Sequence, residues 1–348
     1  MSRSFRRLMW AITALTSLVT SAAAGSTISA RDWDAYKASF MGSDGRIVDD
    51  GNSGISHSEG QGYGLLLSYL AGERSDFELI WAFTRTQILL RDDGLAIWKW
   101  NPAASPHVSD LNNASDGDIL IAYALALAGD AWERIDLTEA ATGMARAIGK
   151  VVVKDDQARI ILMPAATGFG AEERSDGPVI NLSYLVFEAF PVLARLAPET
   201  DWERLSRDGR QLIADARMGE KKLPPDWLSI HMSPKPAEGF AAEFGYNALR
   251  IPLYLMRAGD IDKDMLTILR NGMTGPNGDV QVVELPTGNV RKELGEAGYR
   301  IIPALVSCVV DGTALPKDLL TFVPSLYYPS TLHLLALSFA AEGHQECL

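Results

Sequence analysis

The chain has 348 residues, 47% of them hydrophobic and 22% charged, a globular mix that excludes disorder and collagen-like repeats. Thirty-two Lys plus Arg against 44 Asp plus Glu leave a net charge of −12, which argues against nucleic acid or an anionic membrane as partner. Neutral sugars or a cationic substrate remain compatible. The only two cysteines are Cys308 and Cys347. They form neither a zinc-ligand cluster nor a disulfide framework, so neither a structural zinc protein nor a metal site is expected.

The N-terminus has the form of an export signal. Arg3, Arg6 and Arg7 precede an apolar run from Leu8 to about Val19, and the small residues Ser21 to Ala24 follow. The run is short for a bilayer span, which needs ~20 residues. Residues 1–24 are therefore expected to be a cleaved signal peptide and 25–348 a single domain. Cleavage would leave 29 basic residues against 44 acidic ones, a net of −15. The mature protein is expected to be exported, periplasmic or secreted, without an integral membrane segment, and to act as a monomer. In an oxidising compartment Cys308 and Cys347 could pair, although two thiols far apart in sequence leave this open.

From Glu59 onward apolar residues recur at helical spacing. Tyr63, Leu66, Leu67 and Leu70 form one stripe, and Phe77, Ile80, Trp81, Thr84 and Ile88 form the next. Ile119 to Leu127 is apolar nearly all round, as expected of a helix buried on every side. Leu182–Leu196, Trp202–Met218, Phe244–Met256, Met265–Met273 and Tyr328–Phe339 read as further helices. Val151–Lys154 with Arg159–Met163 makes one candidate hairpin, and Val280–Glu284 is a candidate strand. The pattern predicts about ten to twelve helices. They could bury their stripes as an inner ring inside an outer one, with a cleft among the loops at one end, or as an irregular helical domain.

Two acidic motifs stand at helix starts. A loop rich in Gly, Asn and Ser from Asp49 leads to Ser58-Glu59-Gly60-Gln61-Gly62-Tyr63-Gly64, with Ser58 a plausible cap. The three glycines each cost ~1 kcal/mol in a helix, which points to close approach by a ligand or a neighbouring helix. The bland role for Glu59 is a first-turn acid favoured by the helix dipole. The second motif is Asn112-Asn113-Ala114-Ser115-Asp116-Gly117-Asp118, opening the apolar helix. Asp116 and Asp118 could cap that helix, bind a divalent metal or face a cleft. No further carboxylate lies nearby at ligand spacing, which disfavours the metal. Trp98 and Trp100 alternate across Lys99, as in an extended segment with both rings on one side, where they would stack on sugars or pack in the core.

The run from Ala114 through Leu125 to Trp132 resembles the signature of glycoside hydrolase family eight, and Ser58–Gly64 resembles the segment holding its general acid. Asn181-Leu182-Ser183-Tyr184, Pro225-Asp226-Trp227, Gly245–Arg250 and Tyr327-Tyr328 are supporting matches. The resemblance spans roughly residues 30 to 340. It implies an all-α fold, an (α/α)6 barrel with minor β-hairpins, and hydrolysis of β-1,4 bonds with inversion without a cofactor. An exported endo-1,4-β-glucanase acting on β-glucan polysaccharide is the nearest match. The resemblance makes Glu59 the proton donor and Asp116 the essential aspartate. Trp98, Trp100, Asp118, Tyr184, Tyr246, Asn247 and Arg250 are the expected substrate-binding residues.

Where the family's usual base is an aspartate, this chain has Asn247, and an amide accepts no proton from water at neutral pH. Asp116 is then the first candidate base, and a loop acid such as Glu172 or Glu173 the second. Inversion would set acid and base ~6.5–9.5 Å apart. An ionised Asp116, with burial, would keep the proton on Glu59. Chitosan or mixed-linkage glucan is the alternative substrate, and a non-catalytic glucan-binding relative is the alternative of another class.

Overall fold

The computed structural model describes residues 26–156 and 158–348, so the expected signal peptide lies outside the described residues. Among them are eleven α-helices: α1 (Ala30–Phe40), α2 (Ser58–Leu70), α3 (Arg74–Phe83), α4 (Ser115–Ala131), α5 (Ile135–Val151) and α6 (Phe190–Leu196), then α7 (Trp202–Asp215), α8 (Ile251–Arg257), α9 (Lys263–Met273), α10 (Ala297–Asp311) and α11 (Tyr327–Gly343).

Their contacts close a ring. α2 packs on α4, α4 on α6, the Phe187–Ala189 turn before α6 on α8, α8 on α10, α10 on α11, and α11 back on α2. Outside this ring α3 packs on α2, α5 on α4 and α6, α7 on α6, α9 on α10 and α8, and α1 on α11. The short 3-10 turn Lys317–Leu319, also packed on α10, fills the sixth outer place. The protein is thus an (α/α)6 barrel, and the alternation of outer and inner helices along the chain points every inner helix the same way.

Sequence explains which helix goes where. α2, α4 and α11 bury residues on all sides, as inner staves must. α5, α7 and α9 bury one stripe only, for example Leu205, Gly209, Leu212 and Ile213 on α7.

The glycines of α2 resolve in favour of neighbouring elements. A Cβ on Gly62 would come within 2.5 Å of Leu120 Cβ on α4, and one on Gly64 within 2.5 Å of Ile47. Bare backbone lets α4 approach at Gly62 and the loop before α2 approach at Gly64, and the packing gained offsets the propensity lost.

Strands are short and peripheral. Val153–Asp156 pairs with Arg159–Leu162 as the expected hairpin, and Val280–Glu284 is a strand, paired with Val290–Leu294. Ser56–His57 pairs with Lys99–Trp100 beside the start of α2.

Two expected helices are shorter than their apolar spacing suggests. Leu182–Leu196 begins as two 3-10 turns and becomes α-helical only at Phe190, where Pro191 occupies the first turn. Phe244–Met256 begins as a strand residue and a 3-10 turn, with Pro252 again at the helix start. Proline fixes where a helix can begin, and apolar spacing alone does not show it.

Cys308 on α10 and Cys347 near the C-terminus are disulfide-bonded, with Cα atoms 5.7 Å apart. The N-terminal segment also meets the C-terminal helix: Thr27 Oγ1 lies 2.7 Å from Ser338 Oγ, and Tyr36 Oη 2.8 Å from Thr331 Oγ1.

Candidate active site

Parallel inner helices bring their N-termini to one end of the barrel. Glu59 is the second residue of α2, Asp116 the second of α4, and Arg250 the residue before α8. Tyr299 lies in the first turn of α10, and Tyr327 and Tyr328 start α11. The positive ends of the helix dipoles gather here, a setting that favours acidic side chains.

Arg250 joins the two carboxyls. It is 1% exposed, its Nη1 lies 3.1 Å from Glu59 Oε1, and its Nη2 donates to Asp116 Oδ2 at 2.8 Å. Nη1 also donates to Tyr63 Oη, which is hydrogen-bonded to Tyr254 Oη. The rings of Tyr184, Tyr254 and Tyr328 surround the guanidinium at 5.6–6.0 Å. This aromatic wall shields the charge from water and from rotation.

Glu59 and Asp116 thus meet on the two terminal nitrogens of one guanidinium, close enough for the charge of each to act on the other. Asp116 has a side chain 1% exposed, and burial, then the charge of Glu59, push it up to about 8 against the pull of Arg250. Glu59 has a side chain 20% exposed. Burial raises it too, but the Arg250 guanidinium, with the hydrogen bonds it makes, holds it below the usual glutamate value. The pair therefore keeps one proton at neutral pH, with Asp116 as its resting holder. The expectation of an ionised Asp116 holding a proton on Glu59 is reversed, because Asp116 is the drier group.

The same contact corrects a second expectation. An inverting acid and base must stand ~6.5–9.5 Å apart to admit a water, whereas these two carboxyls share one guanidinium, which disfavours Asp116 as the base opposite Glu59. Close approach of the two helices imposes this: a Cβ on Gly117 would lie 2.2 Å from Ser58 Oγ and 2.6 Å from Glu59 N. Glu173 turns back on its own loop, where Oε2 accepts from Gly168 N and Gly170 N. Glu172 lines a groove beside the Val153–Leu162 hairpin with Asp155 and Asp156.

The other expected residues divide. Tyr184 borders Arg250 and stands 6.1 Å from Trp227, which stacks between Phe169 and Phe240. Tyr246 is 39% exposed, its hydroxyl accepts from Lys292 Nζ, and its carbonyl accepts from Tyr328 Oη. Asn247 Nδ2 donates to Asp226 Oδ2 at 3.4 Å, so its Oδ1 remains to accept from a ligand or water. Asp226 also accepts from the N–H groups of Gly245, Asn247 and Ala248, fixing this turn.

Trp98 is half-buried, its Nε1 donates to Asp110, and its carbonyl accepts from Ser58 N at the start of α2. Trp100, 9% exposed, packs against Phe83 and His107, so the two rings do not share one set of neighbours. Asp118 does not reach the cleft. It is fully buried, with Oδ1 accepting from Ala96 N and Oδ2 from Asn113 Nδ2, and it ties α4 to the preceding loops.

Neither aspartate caps α4, whose cap residue is Ala114. Ser58 does not cap α2 either; His57 does, and the Ser58 hydroxyl is buried without a partner. Sequence reading passed over Tyr63, Tyr254 and His57. Their signal lay in position: Tyr63 one helical turn beyond Glu59, Tyr254 one turn beyond Arg250, and His57 directly before α2.

Comparison with known proteins fits this architecture. A profile of glycosyl hydrolases family 8 matches residues 4–275. A probable endoglucanase of Novacetimonas hansenii is 33% identical over 320 residues, covering 90% of this chain and 91% of its own. The crystal structure of endoglucanase Cel10 from Klebsiella pneumoniae superposes with a TM-score of 0.81 at 30% identity, covering 90% of this chain and 99% of that one. The endo-β-1,4-glucanase CMCax from Acetobacter xylinum gives 0.80 at 31% identity, over 92% and 99%. With its paired carboxyls at the inner end of an (α/α)6 barrel, the chain belongs to glycosyl hydrolases family 8 and is a glycoside hydrolase.

Proposed function

We propose that the protein is an endo-acting β-1,4-glucan hydrolase of the cellulase type, with Glu59 as its general acid. The observation that carries this reading is the carboxyl pair on Arg250, in which Glu59 is open to solvent and Asp116 is not. A glycosidic oxygen bound against Glu59 needs a proton in the transition state. Asp116, beside Glu59 on Arg250, holds one and passes it to Glu59 as Glu59 protonates the leaving oxygen. Arg250 remains beside both oxygens and balances the charge that develops.

The attacking water belongs on the other face of the sugar, under Asn247. The Asn247 amide, held through Nδ2 by Asp226, orients that water through Oδ1; the proton the water loses as its oxygen bonds to the anomeric carbon goes to solvent, which also returns a proton to the Glu59–Asp116 pair. Tyr184, Tyr246 and the Trp227 stack supply faces on which flat pyranose rings rest. The Cys308–Cys347 disulfide supports an oxidising, exported location.

Reducing-sugar release from carboxymethylcellulose and from chitosan, with Glu59→Gln as control, tests the substrate class. Release from carboxymethylcellulose that Glu59→Gln abolishes is the expected result. Release from chitosan alone would overturn the glucanase reading. Equal release by both proteins would remove Glu59 as the acid.

A further inference from the structure

The first turn of α2, which carries Glu59, is capped by an imidazole. His57 Nδ1 accepts from Gly60 N at 2.9 Å, while its Nε2 lies 3.3 Å from Asp49 Oδ2. A nitrogen that accepts carries no proton, so the ring is the neutral tautomer with hydrogen on Nε2 directed at Asp49. The ring sits edge-on to Tyr327, with centroids 5.6 Å apart, and its side chain is 17% exposed. A Cβ on Gly60 would approach His57 Cε1 and Tyr327 Oη to 3.3 Å, so glycine there makes room for the cap.

Resting on the reading of Glu59 as acid, we propose that His57 is a positioning residue for it. Its neutral ring fixes the first turn of α2 and aims the Glu59 carboxyl, and protonation of Nδ1 releases that turn. An Nδ1–H would face the Gly60 N–H, donor against donor, and the cap would be lost.

The groups facing this ring define when that happens. Asp49 faces it from the loop before α2, Glu59 from α2, Asp116 from α4, Tyr327 from α11, and Lys99 is the register partner of His57 on the adjoining strand. Burial disfavours the charged ring, but the hydrogen bond to Asp49 and the charges of Glu59, Asp49 and Asp116 outweigh it. The net effect raises His57 above the ordinary histidine value. The ring therefore takes up its proton at a higher pH than an ordinary histidine would. Asn and Ser are better helix caps than most residues and do not titrate, which separates capping from charge.

The test is kcat and KM against pH for the wild type, His57→Ala, His57→Asn and His57→Ser, with Glu59→Gln as a control and thermal melts as a check on folding. His57→Ala should lower kcat by ~10–100-fold with little change in KM, the scale of a misplaced catalytic group. His57→Asn or His57→Ser should restore most of that loss, and the acid limb of the kcat profile should move to lower pH. Wild-type kcat in a folded His57→Ala would overturn the proposal. So would an acid limb unmoved in both capping variants. Retained activity in Glu59→Gln would instead defeat the acid assignment, so the two failures are distinguishable.

Discussion

The starts of α2 and α4 share a local pattern, serine, acid, glycine, and have opposite electrostatics. Ser58-Glu59-Gly60 and Ser115-Asp116-Gly117 each place an acid second in an inner helix, where the helix dipole favours a carboxylate. Glu59 is held low, whereas Asp116 is pushed up to about 8. The dipole, worth ~0.3–1 kcal/mol at exposed sites, cannot decide between them. Access to water and cations does. Glu59 keeps a side chain 20% exposed and is held down by the Arg250 guanidinium, whereas Asp116 is 1% exposed and its burial outweighs the same guanidinium. One position in a helix thus yields a proton deliverer or a proton store, according to what packs around it.

Removing the deliverer gives the largest effect. Glu59→Gln should lower kcat by ~10²–10⁴-fold, as loss of general acid catalysis does. Its affinity for cello-oligosaccharide, measured by calorimetry, should be unchanged. Next comes the cation that joins the two sites. Arg250→Leu leaves the carboxyls without their buried partner and should cost ~3–5 kcal/mol in denaturant unfolding.

The store is tested by its pH dependence. A carboxyl raised in the folded state contributes stability that is complete below its unfolded value, and is lost as pH rises through its folded value, here about 8. Asp116→Asn removes that loss, so its stability relative to wild type should climb between pH 5 and 8. The slope should approach ~1.4 kcal/mol per pH unit at most. A parallel shift at all pH values would show that Asp116 stores no proton.

Asn247→Asp should have the smallest effect, less than ~10-fold on kcat. The new carboxylate would face Asp226 and raise the affinity of both for protons. A gain of ~10²-fold or more would show that the native protein works without a competent base.

Much of this comparison was legible before any coordinates. The fully apolar run after Asp118 identified α4 as an inner stave, and the motifs singled out Glu59, Asp116 and, through the resemblance, Arg250. What failed did so for definite reasons. Asp116 and Asp118 look alike in sequence, but they sit two residues apart on a helix and point in different directions, one to Arg250 and one to Ala96 and Asn113. Ser58 is the commoner type of cap, and only the Gly60 N–H directed at His57 Nδ1 shows otherwise. Contact between Glu59 and Asp116 depends on how closely two helices approach, which Gly62 and Gly117 permit but do not announce.

A closed ring of helices also has a seam, and here it lies where the chain begins and ends. α1 packs on α11, and the bonds of Thr27 and Tyr36 reach Ser338 and Thr331, across 311 and 295 residues. α1 thus lacks its partner until α11 has been made, 295 to 311 residues later along the chain. Such long-range closure carries a large entropy cost before it is rewarded, and it slows folding.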